Sequence, residues 1–366
     1  MEFAPSTPES VGLELELQIV DRQTLELVDG IMPLLSRLPD PDHVKPEFTQ
    51  TTVELVTSPF EAIAPLNRQL RGVLSELRDL GRELDMAFVG AGTHPFSTRY
   101  VPITPDPRYR NIEKESGFLS HDKITFATHV HVGVPDPATM MDLFGQFTAL
   151  LPVLIALSAN SPFWHGHRTG FAAFRHRELA TSRSYGTPPM LADWGEMQAC
   201  FGHIQKAGIG ESMRDLHWDV RPRPDLGTVE IRTMDAQSTV SEAVGFAALT
   251  RALARYVRTT DASAYPELMP RRSPVWLERE NHFQATHTAL EARYVDSEAE
   301  PRALRPVAET VLEVAAETSR QIGERSFLEP VEQLLERPGY RRQIAIHERT
   351  DSLEEVVREL VEILPE

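Results

Sequence analysis

Four segments of the chain alternate apolar and polar residues, the pattern of β-strands with one buried face. A shorter apolar run at residues 86–92 predicts a further strand. Successive side chains of a strand point to opposite faces of its sheet, so each segment has an apolar face and a polar face. The four alternating segments are residues 11–21, 51–59, 124–134 and 228–235.

Helices are predicted between and after these strands. Leucines recur at steps of three and four residues from Leu66 to Leu84, as on a helix with one packed face. The very apolar run at 147–159 contains Pro152 and is shorter than the ~20 residues of a membrane-spanning helix, so we interpret it as buried helix. Further helices are predicted after the turn at 135–137 and over residues 241–258, 302–321 and 352–364.

The order of these elements favours one fold class. Strands that come in pairs, separated irregularly by helices, indicate an α+β fold rather than a regular βαβ repeat. We therefore expect a single domain over residues 1–366, with helices on one face of the sheet and a helical C-terminal third. The other face of the sheet is then free to carry a site.

The polar faces of the four strands share one kind of chemistry. A single glutamate on a strand is ordinarily a solvated surface residue, but acidic residues, histidines and an arginine recur across all four segments. Glu47, seven residues before Glu54, extends the set. In chain order the candidates are Glu14 and Glu16, then Glu54, then His129 and His131, then Glu230 and Arg232.

Carboxylates at this density predict a metal site. Their oxygens suit Mg²⁺ or Mn²⁺, whereas zinc sites are usually richer in His or Cys. Mg²⁺ is commonly shared between carboxylates and phosphate oxygens, so ATP held through two or three ions is expected. Arg232 alone would not balance the site, because five carboxylates and ATP carry about −9 and the ions return about +4 to +6. A P-loop is not expected, and GAG at residues 90–92 does not continue as GxGxxG.

The composition restricts the kinds of molecule that the protein is expected to bind. A net charge of −17 would repel nucleic acids and anionic membranes, so small-molecule substrates are expected, with no nucleic acid and no membrane as partner. The single cysteine, Cys200, cannot form an internal disulfide, and the first residues lack the basic and apolar regions of a secretory signal. We expect a cytoplasmic protein, and a homodimer would be unsurprising.

The segment 158–170 follows the predicted buried helix and is rich in turn formers. The simplest interpretation is a loop that ends the helix and packs Phe163 and Trp164 inward. Loops on rigid scaffolds also concentrate binding groups, and four residues here suit an amino-acid-like substrate. Arg221 and Arg223 are interpreted as loop surface unless that loop folds over a ligand, where Arg221 would join the substrate site. The four loop candidates are Asn160, Ser161, Arg168 and Thr169.

Six stretches spread over nearly the whole chain are distinctive when taken together. They are GLELE at 12–16, the E-x6-E pair in EFTQTTVELVTSP, THVHVGVPD at 128–136, LSANSPFWHGHRTG, WDVRPRPDLGTVEIRTMDA at 218–236 and RRQIAIHERTDSLEEVV. Together they resemble the YbdK-type carboxylate-amine ligases of the glutamate–cysteine ligase type 2 family, relatives of bacterial glutamate–cysteine ligase and, more distantly, of glutamine synthetase.

The resemblance implies a glutamine synthetase-like fold, with a curved, largely antiparallel sheet whose concave face holds the site and whose convex face carries the helices. It implies that Arg232 contacts a phosphate or the substrate. Two departures concern the substrate: His282 follows Asn281 where the family often has arginine, and Arg168 stands where it often has aspartate. The positions that match the family's Mg²⁺ and ATP ligands are Glu14, Glu16, Glu47, Glu54, His129 and Glu230.

The resulting hypothesis is an ATP-dependent ligase in which a substrate carboxylate, γ-glutamyl in the best-known relatives, attacks the γ-phosphate of ATP. An amine then displaces phosphate from the acyl phosphate. Glu230 and Arg232 are the catalytic candidates, and Glu230→Gln is expected to abolish ADP formation while leaving the fold intact. The alternatives are a zinc-dependent hydrolase that uses His129 and His131, and an inactive nucleotide-binding relative.

Overall fold

A computed structural model of the chain describes residues 1–39 and 41–366. Its main sheet is antiparallel throughout and orders its strands β2-β3-β1-β5-β9-β8, with β4 pairing the end of β1. Two short hairpins, β6-β7 and β10-β11, lie apart from it. The strands are β1 Val11–Asp21, β2 Val44–Pro46, β3 Thr52–Val56, β4 Met86–Val89, β5 Ala127–Gly133, β6 Phe163–Trp164, β7 His167–Arg168, β8 Val220–Arg223, β9 Thr228–Asp235, β10 Arg293–Val295 and β11 Pro301–Ala303.

Helices form the second layer. α2, α4, α5 and α8 contact the strands and bury the apolar face of the sheet. The helices are α1 Ile31–Leu35, α2 Ile63–Glu83, α3 Pro107–Ser116, α4 Pro137–Ala149, α5 Leu151–Ser158, α6 Arg175–Leu179, α7 Trp194–Lys206, α8 Val240–Thr259, α9 Val275–Thr288, α10 Leu304–Gln321, α11 Arg325–Gln333, α12 Gly339–Thr350 and α13 Leu353–Ile363.

The alternation of the strands decides which face is buried. Leu13, Leu15 and Leu17 of β1 are fully buried in the core, together with Val130 of β5 and Ile231 of β9. The polar residues between them point to the other face. The predicted α+β class, the antiparallel sheet and the helices on one face are confirmed, and β1 and β9 have the predicted boundaries.

One β-bulge interrupts the alternation in β9. Thr128 of β5 lies opposite Met234, whereas Val130 lies opposite Ile231, so Arg232 and Thr233 together face one residue of β5. The extra residue lets Arg232 stay on the polar face and returns Met234 to the core, where it is fully buried.

The predicted buried helix at 147–159 is two helices rather than one. α4 ends at Ala149, and α5 begins at Leu151 with Pro152 in its first turn, where proline is tolerated. Among the described residues no single helix is long and apolar enough to cross a membrane. α4 and α5 pass that test only as a pair bent by 57°, and most of their residues are buried.

Candidate active site

Strand pairing places the predicted acidic residues beside one another. Glu16 of β1 lies directly opposite Glu54 of β3, and Glu14 lies opposite His129 of β5. On the far side of β5, His131 and Glu230 of β9 form another opposed pair. Opposed residues in antiparallel strands have Cβ atoms about 5 Å apart. Four neighbouring strands therefore contribute to one site.

The site opens into a cavity of ≈ 1030 Å³. This volume lies at the upper end of the ~300–1,000 Å³ of small-molecule sites, so there is room for a nucleotide and a second substrate. Glu47 lines the cavity just after β2 and accepts a hydrogen bond from the backbone N–H of Phe48 at 2.8 Å. The other predicted residues that line it are Glu14, Glu16, Glu54, His129, Arg221, Glu230 and Arg232.

Two groups of three side chains have the spacing of metal ligands. One oxygen each from Glu16 and Glu54 and one nitrogen of His129 lie within 4.8 Å of one another, and so do ligand atoms of Glu14, His129 and Glu230. Burial, and next the Arg232 charge, lower the pKa of His129 to about 4, so its imidazole is neutral and able to ligate. An oxygen-rich set with one imidazole suits Mg²⁺ or Mn²⁺.

Three glutamates in this cavity are crowded by like charge. Burial, and then the Glu47 charge, raise the pKa of Glu16 to about 8. Burial, followed by the charges of Glu14 and Glu47, raises the pKa of Glu54 well above its usual value, and burial also raises that of Glu47. Divalent cations would relieve this repulsion, so the residues present fit the metal ions that the sequence predicts.

The pKa values of Glu14 and His131 are shifted toward their charged forms instead. Their side chains meet at 3.2 Å between Glu14 Oε1 and His131 Nε2, and Glu14 Oε2 lies 3.2 Å from His129 Nδ1. Burial opposes charge on both residues. The His131 charge nevertheless lowers the pKa of Glu14, and the charges of Glu230 and Glu14 raise that of His131. These neighbours therefore favour the charged form of His131, which offsets negative charge at this end of the site.

The interpretation of Arg221 and Arg223 as loop surface is wrong. Both lie on β8, at 5% and 6% exposure, and face the cavity. Arg221 donates from Nε and Nη2 to the two oxygens of Glu230, at 2.9 Å each, and Arg232 donates to the same carboxylate. Arg223 Nη1 lies 3.6 Å from it. More than one arginine thus offsets the acidic residues, contrary to the balance drawn from the sequence.

Glu230 is consequently held in place by guanidinium groups. It is 1% exposed, and although burial opposes its ionisation, the charges of Arg232 and Arg221 bring its pKa well below the usual value. Burial, and then the charge of Arg232, lower the pKa of Arg221 to about 10. Glu230 is therefore ionised at neutral pH and Arg221 is kept beside it rather than free for substrate.

Arg175 is a cavity residue that the sequence did not reveal. It lies on the short helix α6, is 4% exposed, and donates to the carbonyl oxygens of Thr233 at 3.3 Å and Arg232 at 3.2 Å. These are the two residues of the bulge. Arg175 thereby satisfies backbone groups that the bulge removes from the ladder and fixes the direction of Arg232.

The predicted substrate loop does not reach the cavity, and Asn160 and Ser161 are structural residues. Both are almost fully buried and bind Asp235, through the Asn160 N–H at 2.8 Å and the Ser161 hydroxyl at 2.7 Å. The Asn160 amide also donates to the Ala236 carbonyl at 2.8 Å, and its oxygen accepts from Gln343 at 2.8 Å. Their substrate-binding assignment is corrected, because no face of either is open to a ligand.

Arg168 and Thr169 are likewise misassigned. The segment forms the hairpin β6-β7, whose turn residues His165 and Gly166 both have positive φ. Arg168 points to the surface and pairs with Glu348 at 3.0 Å, with both side chains more than half exposed. Thr169 accepts a hydrogen bond from the Phe171 N–H at 3.1 Å, within its own loop. Neither residue lines the cavity.

We expect Asn160→Ala to destabilise the protein without changing substrate binding. The variant loses several buried hydrogen bonds, each worth about 0.5–1.5 kcal/mol, so the free energy of unfolding should fall by about 2–4 kcal/mol. Urea denaturation measures that loss, and KM values measured below the unfolding transition should stay within about twofold of wild type. A raised KM for the amino-acid substrate with unchanged stability would restore the sequence-based assignment.

The glycines of the GAG stretch serve packing. A Cβ at Gly90 would lie 1.9 Å from the Gln237 carbonyl oxygen, and a Cβ at Gly92 would lie 2.5 Å from the Asp235 side chain. Neither position tolerates a side chain, because backbone and a buried carboxylate occupy the space. Their role agrees with the expectation that GAG is not a nucleotide-binding loop.

Two solved structures share the architecture. The glutamate–cysteine ligase of Francisella tularensis, solved in complex with AMP, aligns with a TM-score of 0.64 and 12% identity over 98% of this chain and 90% of that one. A bifunctional glutathione synthetase of Pasteurella multocida aligns with a TM-score of 0.68 and 14% identity, over 96% of this chain and 52% of that one. At these identities the likeness establishes the fold.

Two other proteins are more similar to this chain in sequence than these two structures are. A protein of Trichormus variabilis is 39% identical over 99% of this chain and 94% of its own length, and one of Nitrosospira multiformis is 32% identical over 92% and 90%. Both carry the provisional name glutamate–cysteine ligase 2. The sequence model described as "Glutamate-cysteine ligase family 2(GCS2)" matches residues 10–362.

The fold and the acidic face of the sheet define an ATP-dependent carboxylate-amine ligase, and the predicted class of enzyme is confirmed. The chain belongs to glutamate–cysteine ligase family 2. The alternative of a zinc-dependent hydrolase built on His129 and His131 finds no support in these relatives.

Proposed function

We propose that the enzyme joins the γ-carboxylate of glutamate, or of a close analogue, to the amine of a second amino acid. The proposal rests on one observation: two pairs of glutamate side chains converge on the neutral His129 in one large cavity. The names of the relatives support glutamate as the acid. Cysteine as the amine rests on those names alone.

In the proposed reaction an oxygen of the substrate carboxylate attacks the γ-phosphorus of ATP, and the bond to the β,γ-bridging oxygen breaks to release ADP. The amine nitrogen then attacks the acyl carbon, phosphate leaves with the bonding electrons, and the nitrogen gives up a proton. Arg232, oriented by Glu230 and by the bulge that Arg175 holds, stabilises charge on the transferred phosphoryl group.

Metal ions complete the site in this proposal. Mg²⁺ or Mn²⁺ bound between the carboxylates and the phosphates would neutralise the charge that otherwise repels the attacking carboxylate. The two ligand groups, Glu16–Glu54–His129 and Glu14–His129–Glu230, share His129. A neutral imidazole offers one lone pair, so His129 would ligate one ion and carboxylates alone would hold a second, with Glu47 beside them. Glu14, Glu16, Glu47 and Glu54 then hold ATP through the metals rather than by direct contact.

A screen for ADP release tests the function. Pairs of amino acids are supplied with ATP and Mg²⁺ or Mn²⁺, and the amide product is identified by mass spectrometry. We expect ADP to form only when an acidic amino acid and an amine are both present, or slowly with the acid alone. ADP release that ignores the acid, or its absence with every pair, would contradict the proposal.

Metal binding should release protons. Glu16, with its pKa of about 8, is protonated below that pH in the metal-free protein and must lose the proton to ligate. Protonation stabilises the metal-free fold, and this contribution disappears as the pH rises through about 8, while Mg²⁺ affinity rises over the same range. Titration calorimetry in buffers of different ionisation enthalpy should therefore detect proton release near pH 7 that decreases as the pH rises through about 8. No buffer dependence at pH 7 would contradict this linkage.

The cytoplasmic location and the homodimer stay predictions. The same holds for the extent of the domain, residues 1–366.

A further inference from the structure

A second group of potential metal ligands lies behind the wall of the cavity. It consists of His176 on α6, Asp219 just before β8 and His282 on α9. One ligand atom from each lies within 4.8 Å of the others, and none of the three residues lines the cavity. The exposures are 0%, 1% and 7%, so the group is removed from solvent.

Four polar atoms of this group lack hydrogen bonds of good geometry. His176 Nε2, His282 Nε2 and both carboxylate oxygens of Asp219 are buried without one, although the Thr233 backbone interacts with the His176 ring and the Tyr185 hydroxyl interacts with Asp219. His282 Nε2 approaches Asp219 Oδ2 at 3.2 Å without forming one. A buried polar atom without a partner is unfavourable, and four such atoms converge here. A bound cation would satisfy them together.

We propose that His176, Asp219 and His282 bind a zinc ion. Two imidazole nitrogens and one carboxylate oxygen form a borderline-soft set that suits Zn²⁺, and Co²⁺ as its spectroscopic substitute, better than Mg²⁺. The fourth ligand would be water. This site differs in ligand chemistry and location from the carboxylate groups of the cavity.

The surroundings already contain a support for the ligands. The Nδ1 of His176 is hydrogen-bonded to the hydroxyl of Tyr185, which leaves Nε2 as its free nitrogen. A hydrogen bond on the second ring nitrogen is the usual way in which a metal-bound histidine is oriented. Burial, and then the Asp219 charge, keep the pKa of Tyr185 well above its usual value, so the phenol retains its proton.

The positive charges of Arg175 and Arg177 oppose a cation at this site. Arg177 Nη2 lies 3.3 Å from His282 Nδ1, and its charge opposes a nearby cation. A guanidinium that donates to Nδ1 leaves the ring proton on Nε2, so zinc binding requires this contact to break. The guanidinium also lies over the rings of Phe171 and Phe283 and would keep those contacts. The alternative to a metal is a set of histidines held by Asp219, Tyr185, Arg177 and the Thr233 carbonyl.

A bound ion would brace the wall of the active site. It would join α6, β8 and α9, and α6 also carries Arg175, which holds the bulge carbonyls of β9. The expected role is therefore structural: zinc should raise the thermal stability of the enzyme.

Zinc retention tests the proposal. The full-length protein is loaded with Zn²⁺, dialysed against metal-free buffer with excess Mg²⁺, and analysed by plasma mass spectrometry. The double variant Glu16→Gln/Glu54→Gln removes one ligand group of the cavity, and His287→Gln changes an exposed histidine of the same helix α9. We expect about one zinc ion per chain in wild type and in both of these controls.

Asp219→Asn and His282→Gln should each lose most of the zinc, along with the zinc-dependent rise in melting temperature. Circular dichroism shows whether these variants fold. Independently of them, Co²⁺ added to the wild type under excess Mg²⁺ should give the intense visible absorption of a tetrahedral site. Zinc that is absent from wild type, or retained equally by Asp219→Asn and His282→Gln, would overturn the proposal, and so would a wild type without that cobalt absorption.

Discussion

Glu54→Gln should lower the rate of ADP formation at least about a hundredfold while leaving the metal-free protein as stable as wild type. Losing a metal ligand removes several kcal/mol of transition-state stabilisation, and each 1.36 kcal/mol is about tenfold in rate. Stability should be kept because burial, followed by the charges of Glu14 and Glu47, raises the pKa of Glu54, so the metal-free fold favours the protonated form of its carboxyl group. Glutamine has the same shape and the same charge as that protonated form.

Two measurements separate these effects. Steady-state ADP release gives the rate, and urea denaturation in a chelator gives the free energy of unfolding, which should change by less than about 0.5 kcal/mol. Glu83→Gln on the exposed face of α2 is the matched control and should change neither quantity. Unchanged turnover in Glu54→Gln would remove this residue from the metal site.

Glu230→Gln should abolish turnover and also destabilise the fold. The sequence alone predicted an intact fold, but the structure places Glu230 at 1% exposure against Arg221, Arg223 and Arg232. Removing one partner of a buried ion pair leaves the others uncompensated and costs about 3–5 kcal/mol. Because its pKa is lowered, this carboxylate stabilises the protein at neutral pH, and the contribution is lost as the pH falls below the usual glutamate range.

A double variant tests the origin of that loss. Glu230→Gln/Arg221→Gln removes the unpaired guanidinium as well, so it should be more stable than the sum of the two single changes predicts, by about 0.5–3 kcal/mol. Its turnover should stay lost, since Glu230 also belongs to a ligand group. Additive stabilities would show that Arg221 and Glu230 are not coupled, and wild-type turnover would exclude Glu230 from the reaction.

The acidic face of the sheet could be predicted because alternation is a local signal. Glu14 and Glu16 had to share a face, and the apolar residues between them fixed which face it was. The strand neighbours were not determined by any local pattern. The structure shows the antiparallel register that places Glu16 opposite Glu54. From the sequence, only the resemblance to a known family indicated an antiparallel sheet.

The predictions that were wrong also have physical explanations. Pro222 and Pro224 suggested a loop, but β8 is an edge strand, where proline does not interrupt a ladder. Asn160 and Ser161 have side chains that serve equally in a binding site or a buried network, and only their contacts with Asp235 decide between the two. Arg175 and His176 have no periodic or motif signal, and Asp219 lies in the stretch 218–236 that carries the resemblance without a role predicted for it, because the partners of all three lie far away in the chain.

The bulge in β9 ties the faces of the strand to one extra residue. If the same sequence paired without the bulge, the strand would alternate evenly, and Met234 would turn to the polar face while Thr233 turned to the core. Deletion of Thr233, by contrast, would leave Arg232 on the polar face and Met234 in the core, but it would remove one of the two carbonyl groups that Arg175 binds. A relative whose strand lacks the extra residue should therefore have no need for a buried arginine at the position of Arg175.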